Sequence, residues 1–332
     1  MRRVLKHFSL SAEQIVSLKN TNRTLFGTHS RFQVTLSSVT PTTIPLNEPV
    51  AVFDILSGYV ELSQPATSRD IQDLLSLAED GDIKDSLRTL LKNYNPEIQE
   101  KRVSVLDIVE RFPLIKVPFG VFLFMLPAMR VRQYSISSSP LWSAEKVSLT
   151  ISVLEAPSIS EQDRIFTGVA STYLAGLSPG DQIQMSVRAS GVAFHPPTDI
   201  SLPIVMFCAG SGVAPMRGFI QERAAQKQSG RNVGPALLFF GCRSPDADYL
   251  YSDSDLAQWI KEGVVDVRPA FSRASERSEG CKYVQEYVQH TDMWEQSLTR
   301  LVSSRVWHDR KDVKEMYENG AKVRKTISII LD

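Results

Sequence analysis

Four consecutive residues, Arg132-Gln133-Tyr134-Ser135, combine side chains that could hold a phosphorylated heteroaromatic molecule. An arginine can grip a pyrophosphate with two parallel hydrogen bonds. A tyrosine ring can stack on a flat heteroaromatic ring, and the neighbouring hydroxyl can hydrogen-bond a ring nitrogen. On an extended strand Arg132 and Tyr134 would lie on the same face, so both could contact one ligand. Taken alone, the stretch fits a basic, aromatic surface strand better than a cofactor site.

A glycine-rich turn after an apolar strand is the strongest nucleotide-binding pattern in the chain. The apolar residues 204–208 are followed by Ala209-Gly210-Ser211-Gly212-Val213-Ala214-Pro215 and then by a helical segment. Glycines permit a tight turn and close backbone approach, and Pro215 suits the first turn of a helix. The pattern predicts a phosphate at a helix N-terminus, beyond the carboxyl end of a parallel strand. It is not the GxGxxG dinucleotide motif, because Pro215 stands at the third glycine position.

Two further stretches carry groups that suit phosphates. Gly168-Val169-Ala170-Ser171 opens a predicted helix, where free amides, the helix dipole and a hydroxyl favour an anion. Ser272 and Arg273 follow a predicted strand and could clamp a 2′-phosphate. Residues 282–285 (Lys-Tyr-Val-Gln) come shortly after, and the tyrosine could pack on an adenine. The alternatives are a plain capped helix and an ordinary solvated loop.

The bulk composition indicates a globular protein of about two domains. The 332 residues include 37 basic and 37 acidic ones, which gives no support for nucleic-acid binding. The three cysteines are far apart and form no CxxC pair, which favours a reducing, cytoplasmic compartment without a metal site. The longest apolar run, 117–127, is too short to span a bilayer and predicts a buried helix. The N-terminus lacks the pattern of a signal peptide.

The hydrophobic pattern changes twice along the chain. Residues 1 to about 128 read as mostly helical, with helices predicted to begin near Ser11, Ala51, Thr67 and Val103. Residues 133–138, 146–154 and 180–187 read as strands of part of an antiparallel barrel. After Pro203 the apolar runs 204–208, 236–241 and 264–268 alternate with helical segments, which predicts an open parallel α/β sheet.

Taken in this order, the motifs resemble the FAD- and NADPH-binding half of the diflavin reductases. They are similar to the NADPH–cytochrome P-450 reductase family, and especially to the self-sufficient monooxygenase–reductase fusions of fungi and bacteria. The resemblance covers most of residues 1–323. It is carried by Arg132-Gln-Tyr-Ser-Ile-Ser-Ser-Ser-Pro140, Gly168-Val-Ala-Ser171, Gly210-Ser-Gly-Val-Ala-Pro-Met-Arg-Gly-Phe219, Phe239-Phe-Gly-Cys-Arg-Ser-Pro245, Tyr249-Leu-Tyr251, Ala270-Phe-Ser-Arg273, Tyr283-Val-Gln285, and, for the helical connecting insert, Tyr59-Val-Glu-Leu-Ser-Gln-Pro-Ala66.

The resemblance implies a ferredoxin-reductase-like, multidomain fold. It implies a helical connecting region at 1–128, an incomplete antiparallel FAD-binding barrel at 129–200 and an incomplete open parallel α/β NADPH-binding domain at 201–323. The family has barrel strands and an FMN module before this point, and a cysteine-glycine turn, a catalytic acid and a terminal aromatic after it. We therefore expect a chain truncated at both ends. We expect the tail 324–332 to be a read-through or mis-spliced terminus rather than family sequence.

The resemblance also implies a role for each motif. Arg132 would bind an FAD phosphate, Tyr134 would stack on the isoalloxazine, and Ser135, the implied catalytic residue, would lie near its N5, where hydride arrives. The implied FAD-binding residues are Arg102, Arg132, Gln133, Tyr134, Ser135, Thr150, Ile151, Ser152, Gly168, Val169, Ala170 and Ser171. The implied NADPH-binding residues are Gly210, Ser211, Gly212, Val213, Ala214, Pro215, Cys242, Arg243, Ser272, Arg273, Lys282, Tyr283 and Gln285.

The implied activity is that of an NADPH–hemoprotein reductase. Hydride would pass from NADPH to FAD, and electrons would continue to an FMN domain and a haem monooxygenase domain in a parent or partner chain. Two alternatives stay open: the FAD/NADPH half of a sulfite- or nitric-oxide-type diflavin enzyme, and a non-catalytic remnant with partial nucleotide binding. Two departures bear on cofactor recognition. Ser211 replaces the family's threonine, and Cys281 stands at the family's lysine position, with Lys282 one place later.

Overall fold

The computed structural model describes residues 1–18, 24–27, 30–35, 44–45, 48–161, 163–189 and 194–289. The chain divides into two units by its internal contacts. Unit 1 comprises Met1–Arg130 and Glu155–Phe166, and unit 2 comprises Val131–Leu154 and Thr167–Asp332. No helix among the described residues is long and apolar enough to cross a membrane.

Unit 1 is built mainly of short helices around one apolar core. Its helices are α1 (Arg2–Phe8), α2 (Val52–Asp54), α3 (Ser68–Leu77), α4 (Gly81–Lys92), α5 (Val105–Arg111) and α6 (Phe119–Met125), with π-helical turns at Ile55–Tyr59 and Asn95–Gln99. Its strands form two-stranded pairs: β1 (Ile15–Ser17) with β4 (Pro49–Ala51), β2 (Thr24–Gly27) with β3 (Ser30–Thr35), and β5 (Glu155–Pro157) with β6 (Ile165–Thr167). The fully buried side chains include Ile55, Ile71, Leu74, Leu87, Ile98, Ile108, Phe122 and Leu123.

Capping boxes fix where two of these helices begin. Thr67 accepts a hydrogen bond from the Asp70 amide, and the Asp70 carboxylate accepts one from the Thr67 amide. Ser104 and Asp107 repeat the arrangement at the start of α5. Each box satisfies amides that the first helical turn leaves without a partner. The helices predicted near Thr67 and Val103 therefore form as expected.

Unit 2 contains a three-stranded parallel sheet with helices between its strands. Its elements are α7 (Val169–Ala175), β7 (Ile204–Ala209), a 3₁₀ turn (Gly210–Gly212), α8 (Val213–Gln228), β8 (Ala236–Cys242), α9 (Asp255–Lys261), β9 (Asp266–Phe271), a 3₁₀ turn (Ser275–Arg277) and α10 (Val284–Gln289). The strand order is β7-β8-β9, with Phe207 opposite Phe239 and Ile204 opposite Ala236. The rings of Phe207 and Phe239 stack with centroids 4.9 Å apart. All three strands end at one edge of the sheet, and this edge carries the site described below.

The parallel sheet confirms the prediction from the three apolar runs, with one difference in the limits of a strand. The third strand begins at Asp266 and runs through Pro269 to Phe271, beyond the predicted 264–268. Proline cannot donate to a neighbouring strand, and it is tolerated here because β9 pairs only with β8 among the described residues. The predicted buried helix within 117–127 is α6.

Other predicted elements are wrong. The helix predicted from Ser11 is instead a turn followed by β1, in which Val16 pairs with Val50. The helix predicted from Ala51, by contrast, does form, beginning one residue later at Val52 and continuing as a π-helical turn to Tyr59. The strands predicted at 133–138, 146–154 and 180–187 are not assigned, and residues 131–154 retain one antiparallel bridge, Ile136 to Leu149. A strand needs paired neighbours along its length, and the described residues supply few for these segments. The antiparallel strands of the described residues do not close into a barrel.

Candidate nucleotide-binding site

The glycine-rich turn lies between β7 and α8, as its sequence predicts. Gly210 has a φ of +53°, and a Cβ added there would meet no atom within 4 Å. The positive φ explains the glycine, and the open space leaves the backbone accessible to a ligand. The first turn of α8 contains no acidic residue, and no side chain caps its N-terminus. The amides that begin α8 donate to the Gly210 and Ser211 carbonyls, so what this turn offers an anion is the open backbone at Gly210 and the positive end of a helix dipole.

A cavity of about 230 Å³ opens beside this turn at the carboxyl edge of the parallel sheet. It brings together residues that are far apart in sequence but follow the ends of β7, β8 and β9. Of the predicted NADPH-binding residues, it is lined by Gly210, Cys242, Arg243, Ser272, Lys282, Tyr283 and Gln285. The rest of that predicted set, Ser211, Gly212, Val213, Ala214, Pro215 and Arg273, does not line it.

Asp248 fixes one rim of this cavity. Its carboxylate accepts hydrogen bonds from the amides of Arg243 (2.7 Å) and Ser244 (3.1 Å) and pairs with the Arg243 Nε at 2.9 Å. Burial alone would raise the pKa of Asp248, but these hydrogen bonds and the guanidinium outweigh it and lower the pKa. The carboxylate therefore stays ionised and orients Arg243 at the mouth of the cavity.

Backbone pairing beyond the ends of β8 and β9 builds a further part of the cavity lining. Ser272 donates its amide to the Cys242 carbonyl at 3.0 Å, and Arg273 donates to the Arg243 carbonyl at 2.8 Å. Burial raises the pKa of the Cys242 thiol to about 12, so this residue is a neutral wall of the cavity. Lys282 is exposed, and the Tyr283 side chain is 53% exposed. Arg243 and Lys282 thus supply positive charge, and Tyr283 an aromatic ring, around the neutral Cys242 thiol.

The predicted flavin residues of segment 131–139 are held by three buried serines. The Ser137 hydroxyl donates to the Ser148 carbonyl at 2.9 Å, and the Ser148 amide donates to the Ser138 hydroxyl at 2.9 Å. The Ser139 hydroxyl accepts from the Leu141 amide at 3.1 Å.

Burial raises the pKa of Tyr134 while the nearby Arg132 lowers it, with a net rise. Tyr134 therefore stays a neutral phenol close to a guanidinium.

Gly168 is the N-cap of α7, and its surroundings are closely packed. A Cβ there would lie 2.6 Å from Ser171 Oγ and 2.9 Å from Leu154 Cβ, so only glycine fits without a shift. The Ser171 hydroxyl accepts from the Leu154 amide at 3.1 Å and lies 3.4 Å from the Gly168 carbonyl. Sequence reasoning expected this hydroxyl to donate to a phosphate. In the structure it instead ties the start of α7 to residue 154, with Val169 exposed beside it.

Two hydroxyl pairs connect segment 150–152 to other parts of unit 2, one to the nucleotide turn and one to the segment after β8. Ser152 Oγ donates to Ser211 Oγ at 2.9 Å, and Thr150 Oγ1 lies 2.7 Å from Tyr251 Oη. The two sets of predicted residues therefore lie side by side in unit 2. Arg102, by contrast, belongs to unit 1. It lies in a turn with a φ of +52° and not in the helix expected for it.

Comparison with known proteins now identifies the chain. Residues 1–173 match the FAD binding domain family, and residues 206–305 match the Oxidoreductase NAD-binding domain family. The chain belongs to the FAD binding domain family. These two FAD-binding and NAD-binding domains confirm the predicted ferredoxin-reductase-like fold and an oxidoreductase.

Full-length relatives of this FAD-binding chain are fusion proteins. It is 55% identical over 297 residues to the self-sufficient cytochrome P450 monooxygenase CYP505E3 of Phanerodontia chrysosporium, covering 90% of the chain and 26% of that relative. It is 50% identical over 290 residues to a bifunctional cytochrome P450/NADPH–P450 reductase of Fusarium oxysporum, covering 87% of the chain and 25% of the relative. The chain thus spans about a quarter of the length of the curated relatives it matches. The resemblance to self-sufficient monooxygenase–reductase fusions is confirmed.

The described residues of this FAD-binding chain fit a flavin and a nicotinamide dinucleotide. Gly168 lies where a side chain would collide, and Gly210 leaves its backbone open. The cavity is rimmed by two cationic side chains, Arg243 and Lys282, as an anionic dinucleotide requires. Arg217 and Tyr251, which contact the flavin segment, were not among the predicted residues. An arginine within an otherwise helical pattern gives no sequence signal that it is buried.

Proposed function

We propose that this chain is the reductase module that moves hydride from NADPH to FAD and passes electrons on towards FMN and a haem monooxygenase. FMN and haem would belong to other domains of a parent or partner chain. The observation that carries the proposal is the 2.9 Å contact between Ser152 and Ser211, which joins the flavin segment to the nucleotide turn. A hydride donor and acceptor have to meet, and adjacent binding motifs support such a meeting.

We assign the flavin to segments 132–135, 150–152 and 168–171. FAD, when bound, supplies the hydride-accepting chemistry, and the chain supplies binding and orientation. Arg132 binds a phosphate, Tyr134 stacks as a neutral ring, and Ser135 offers a hydroxyl to the ring edge. The amides at the start of α7 face the pyrophosphate, with Gly168 permitting the close packing that Leu154 requires. Arg102 is retained as a further proposed contact.

We assign the dinucleotide to the cavity at the carboxyl edge of the sheet. The turn at 210–215 receives the pyrophosphate, and Ser272, Arg273, Lys282, Tyr283 and Gln285 receive the adenosine end. Arg243, oriented by Asp248, stands at the mouth and neutralises phosphate charge. Cys242 contributes a neutral wall. The preference for NADPH over NADH is proposed to come from Lys282, which lines the cavity one position after the family's lysine.

The proposed function is tested by reducing the flavin anaerobically. The purified chain is loaded with FAD, freed of excess flavin and mixed with NADPH without oxygen. We expect bound flavin absorbance that bleaches on NADPH addition and returns on admission of air. Dithionite, which reduces flavin without a nucleotide site, is the control. A folded protein that retains no FAD, or whose FAD bleaches only with dithionite, would contradict the proposal.

Replacing Lys282 by alanine is expected to weaken NADP⁺ binding about tenfold and NAD⁺ binding less than twofold. A charge-assisted hydrogen bond contributes about 1.5–3 kcal/mol, and 1.4 kcal/mol is a factor of about ten. Lys282 is exposed, so the lower end of that range applies. Isothermal titration with both nucleotides measures the ratio. Lys261→Ala, which removes an exposed lysine at the end of α9, is the matched control. Equal losses for the two nucleotides would refute the assignment.

The domain limits and the location are also proposals. We propose a connecting region at 1–128, an FAD-binding part at 129–200 and an NADPH-binding part at 201–323. The last limit and the tail 324–332 fall outside the described residues.

A cytoplasmic location is supported by the state of the cysteines. Cys208, Cys242 and Cys281 are all free and buried thiols, as expected in a reducing compartment.

A further inference from the structure

A group of polar contacts joins the flavin segments to α8 and to the residues after β8. We call it the Arg217 junction, and it comprises Ser137, Thr150, Arg217, Tyr251 and Asp255. All five residues belong to unit 2. We propose that Arg217 and Tyr251 are positioning residues for hydride transfer, holding the flavin segment in register with the nucleotide turn. This inference rests on the proposed function and adds residues to which that function gave no role.

The first argument is the direction of the contacts from segment 150–152. Thr150 bonds to the Tyr251 hydroxyl at 2.7 Å, and Ser152 bonds to the Ser211 hydroxyl at 2.9 Å. Segment 150–152 is therefore attached through two of its side chains to the nucleotide-binding side of unit 2. Two attachments fix an orientation, whereas one would permit rotation.

The second argument is that Arg217, whose side chain is largely buried, links α8 to α9, to the turn at Tyr251 and to the segment at Ser137. Its Nη1 donates to the Ser137 carbonyl at 2.6 Å, and its Nε donates to Asp255 at 2.7 Å. Its guanidinium carbon lies 4.8 Å from the ring centre of Tyr251 and 5.8 Å from that of Trp259. The Arg217 side chain is only 11% exposed. A cation held by a carboxylate, a carbonyl and two aromatic faces is fixed in place.

The third argument is the close approach of α8 to segment 136–139. Ser139 donates its amide to Gln221 at 2.8 Å. A Cβ on Gly218 would lie in ordinary van der Waals contact with the Ser138 carbonyl (3.5 Å) and the Ile136 carbonyl (3.6 Å). The helix that begins at the nucleotide turn therefore packs directly on the segment that follows the Arg-Gln-Tyr-Ser motif.

The fourth argument is the backbone of Tyr251, which has a φ of +66°. This left-handed conformation costs a non-glycine residue about 1 kcal/mol or more and tends to persist where function requires it. The amides of Ser254 and Leu256 donate to the Tyr251 carbonyl at 3.2 and 3.0 Å and stabilise the turn. The conformation directs the Tyr251 ring under Arg217 and its hydroxyl to Thr150.

The test compares Tyr251→Phe, Thr150→Val and the double variant. Each single change removes the same hydroxyl bond and keeps the side-chain shape. We expect flavin reduction at saturating NADPH to slow about tenfold in each single variant and no further in the double, because small misplacements affect transfer strongly. In Tyr251→Phe the dissociation constants for FAD and NADP⁺ should stay within about twofold, because Tyr251 is not among the residues assigned to either cofactor. Arg217→Lys, which keeps the charge but loses the forked geometry, should slow reduction similarly.

A second measurement needs no cofactor. Amide hydrogen exchange of residues 148–152 in the unliganded chain should be about fivefold faster in Tyr251→Phe, as expected for the loss of one hydrogen bond. Tyr94→Phe, which loses a 2.9 Å hydroxyl bond to the Ala66 carbonyl in unit 1, is the matched control and should change neither measurement.

Amide exchange and flavin reduction at wild-type rates in Tyr251→Phe and Thr150→Val would overturn the proposed role of the junction. Slower flavin reduction that is fully explained by weaker FAD or NADP⁺ binding would also overturn it. Additive effects in the double variant would also count against it, because the two hydroxyls would then act separately. A wild-type chain that NADPH does not reduce would refute the proposed function. The exchange measurement would in that case still decide whether the junction holds segment 148–152.

Discussion

Arg223→Met is expected to lower the melting temperature of the chain by about 10 °C. Arg223 lies on α8 and is 2% exposed. Its Nη2 is within hydrogen-bond distance of the carbonyls of Ile200 (3.3 Å), Leu202 (2.8 Å) and Gly234 (2.6 Å). Methionine fills similar space but loses the charge-assisted hydrogen bonds to the Leu202 and Gly234 carbonyls, at a cost of about 3 kcal/mol.

The position of Arg223 means that its replacement should change stability but not nucleotide binding. Its three acceptors lie just before β7 and β8, at the edge of the sheet opposite the nucleotide cavity. A Cβ on Gly234 would lie 2.2 Å from the Ser201 carbonyl, so this crossing has no room to repack. Burial also lowers the pKa of Arg223, and part of the stabilisation is therefore offset in the native protein.

Differential scanning fluorimetry measures the effect, and Arg231→Met provides the control. Arg231 is an exposed arginine in the loop that follows α8, and its replacement should shift the melting temperature by less than about 2 °C. NADP⁺ affinity of Arg223→Met, measured well below its melting temperature, should stay within about threefold. A melting temperature equal to that of Arg231→Met would show that the three carbonyls are satisfied without Arg223.

Gly168→Ala is expected to reduce FAD affinity at least tenfold with a much smaller loss of stability. The φ of Gly168 is −71°, so alanine is permitted by the backbone. The added Cβ would nevertheless lie 2.6 Å from Ser171 Oγ and 2.9 Å from Leu154 Cβ, which forces residues 168–171 away from residue 154. The Gly168 amide already donates to the Leu154 carbonyl at 2.7 Å, and we propose the amides of residues 169–171 as the pyrophosphate ligands, so a shift there misdirects their hydrogen bonds. A tenfold loss corresponds to about 1.4 kcal/mol.

Titration of the unliganded chain with FAD, followed by quenching of FAD fluorescence, measures the affinity. Gly176→Ala is the matched control because Gly176 lies at the other end of the same helix. A Cβ there would be 3.5 Å from its nearest neighbours, and FAD affinity should stay within about twofold. If Gly168→Ala retains full flavin affinity, the start of α7 does not contribute to the site.

The parallel sheet was predictable because its signal is local and strong. The runs at 204–208 and 236–241 are uninterrupted apolar residues, and only a strand covered on both faces buries every side chain of such a run. The turn at Gly210 was predictable for a similar reason, since two glycines and a proline after an apolar strand suit few other conformations. Thr67 and Ser104 placed helix starts because capping needs no distant partner.

The antiparallel region was less predictable because pairing depends on residues far away in the chain. Residues 146–154 alternate as a strand should, yet only Leu149 forms a bridge among the described residues, opposite Ile136. Ile15 has helical spacing with Leu18, but pairing of Val16 with Val50 decides the outcome. Pairing with a distant segment overrides weak local propensity.

Seven of the predicted NADPH-binding residues line one cavity, yet sequence could not supply the contacts that join them. The role of Asp248 depends on the two amides and the guanidinium that its carboxylate meets. The burial of Arg217 depends on Tyr251 and Trp259, which approach it from another element. Both roles arise from tertiary packing and leave no pattern in the local sequence.

The Arg217 junction constrains how such reductases can be recombined. An exchange of NADPH-binding parts would naturally be cut in the loop before β7, near residue 203. That cut separates Ser137 and Thr150 from Arg217 and Tyr251, which then come from different parents. A chimera that matches these four positions should inherit the alignment of its two cofactors. A chimera that mismatches them should fold and bind both nucleotides while transferring hydride slowly, so these four residues are the ones to keep together when a hybrid is designed.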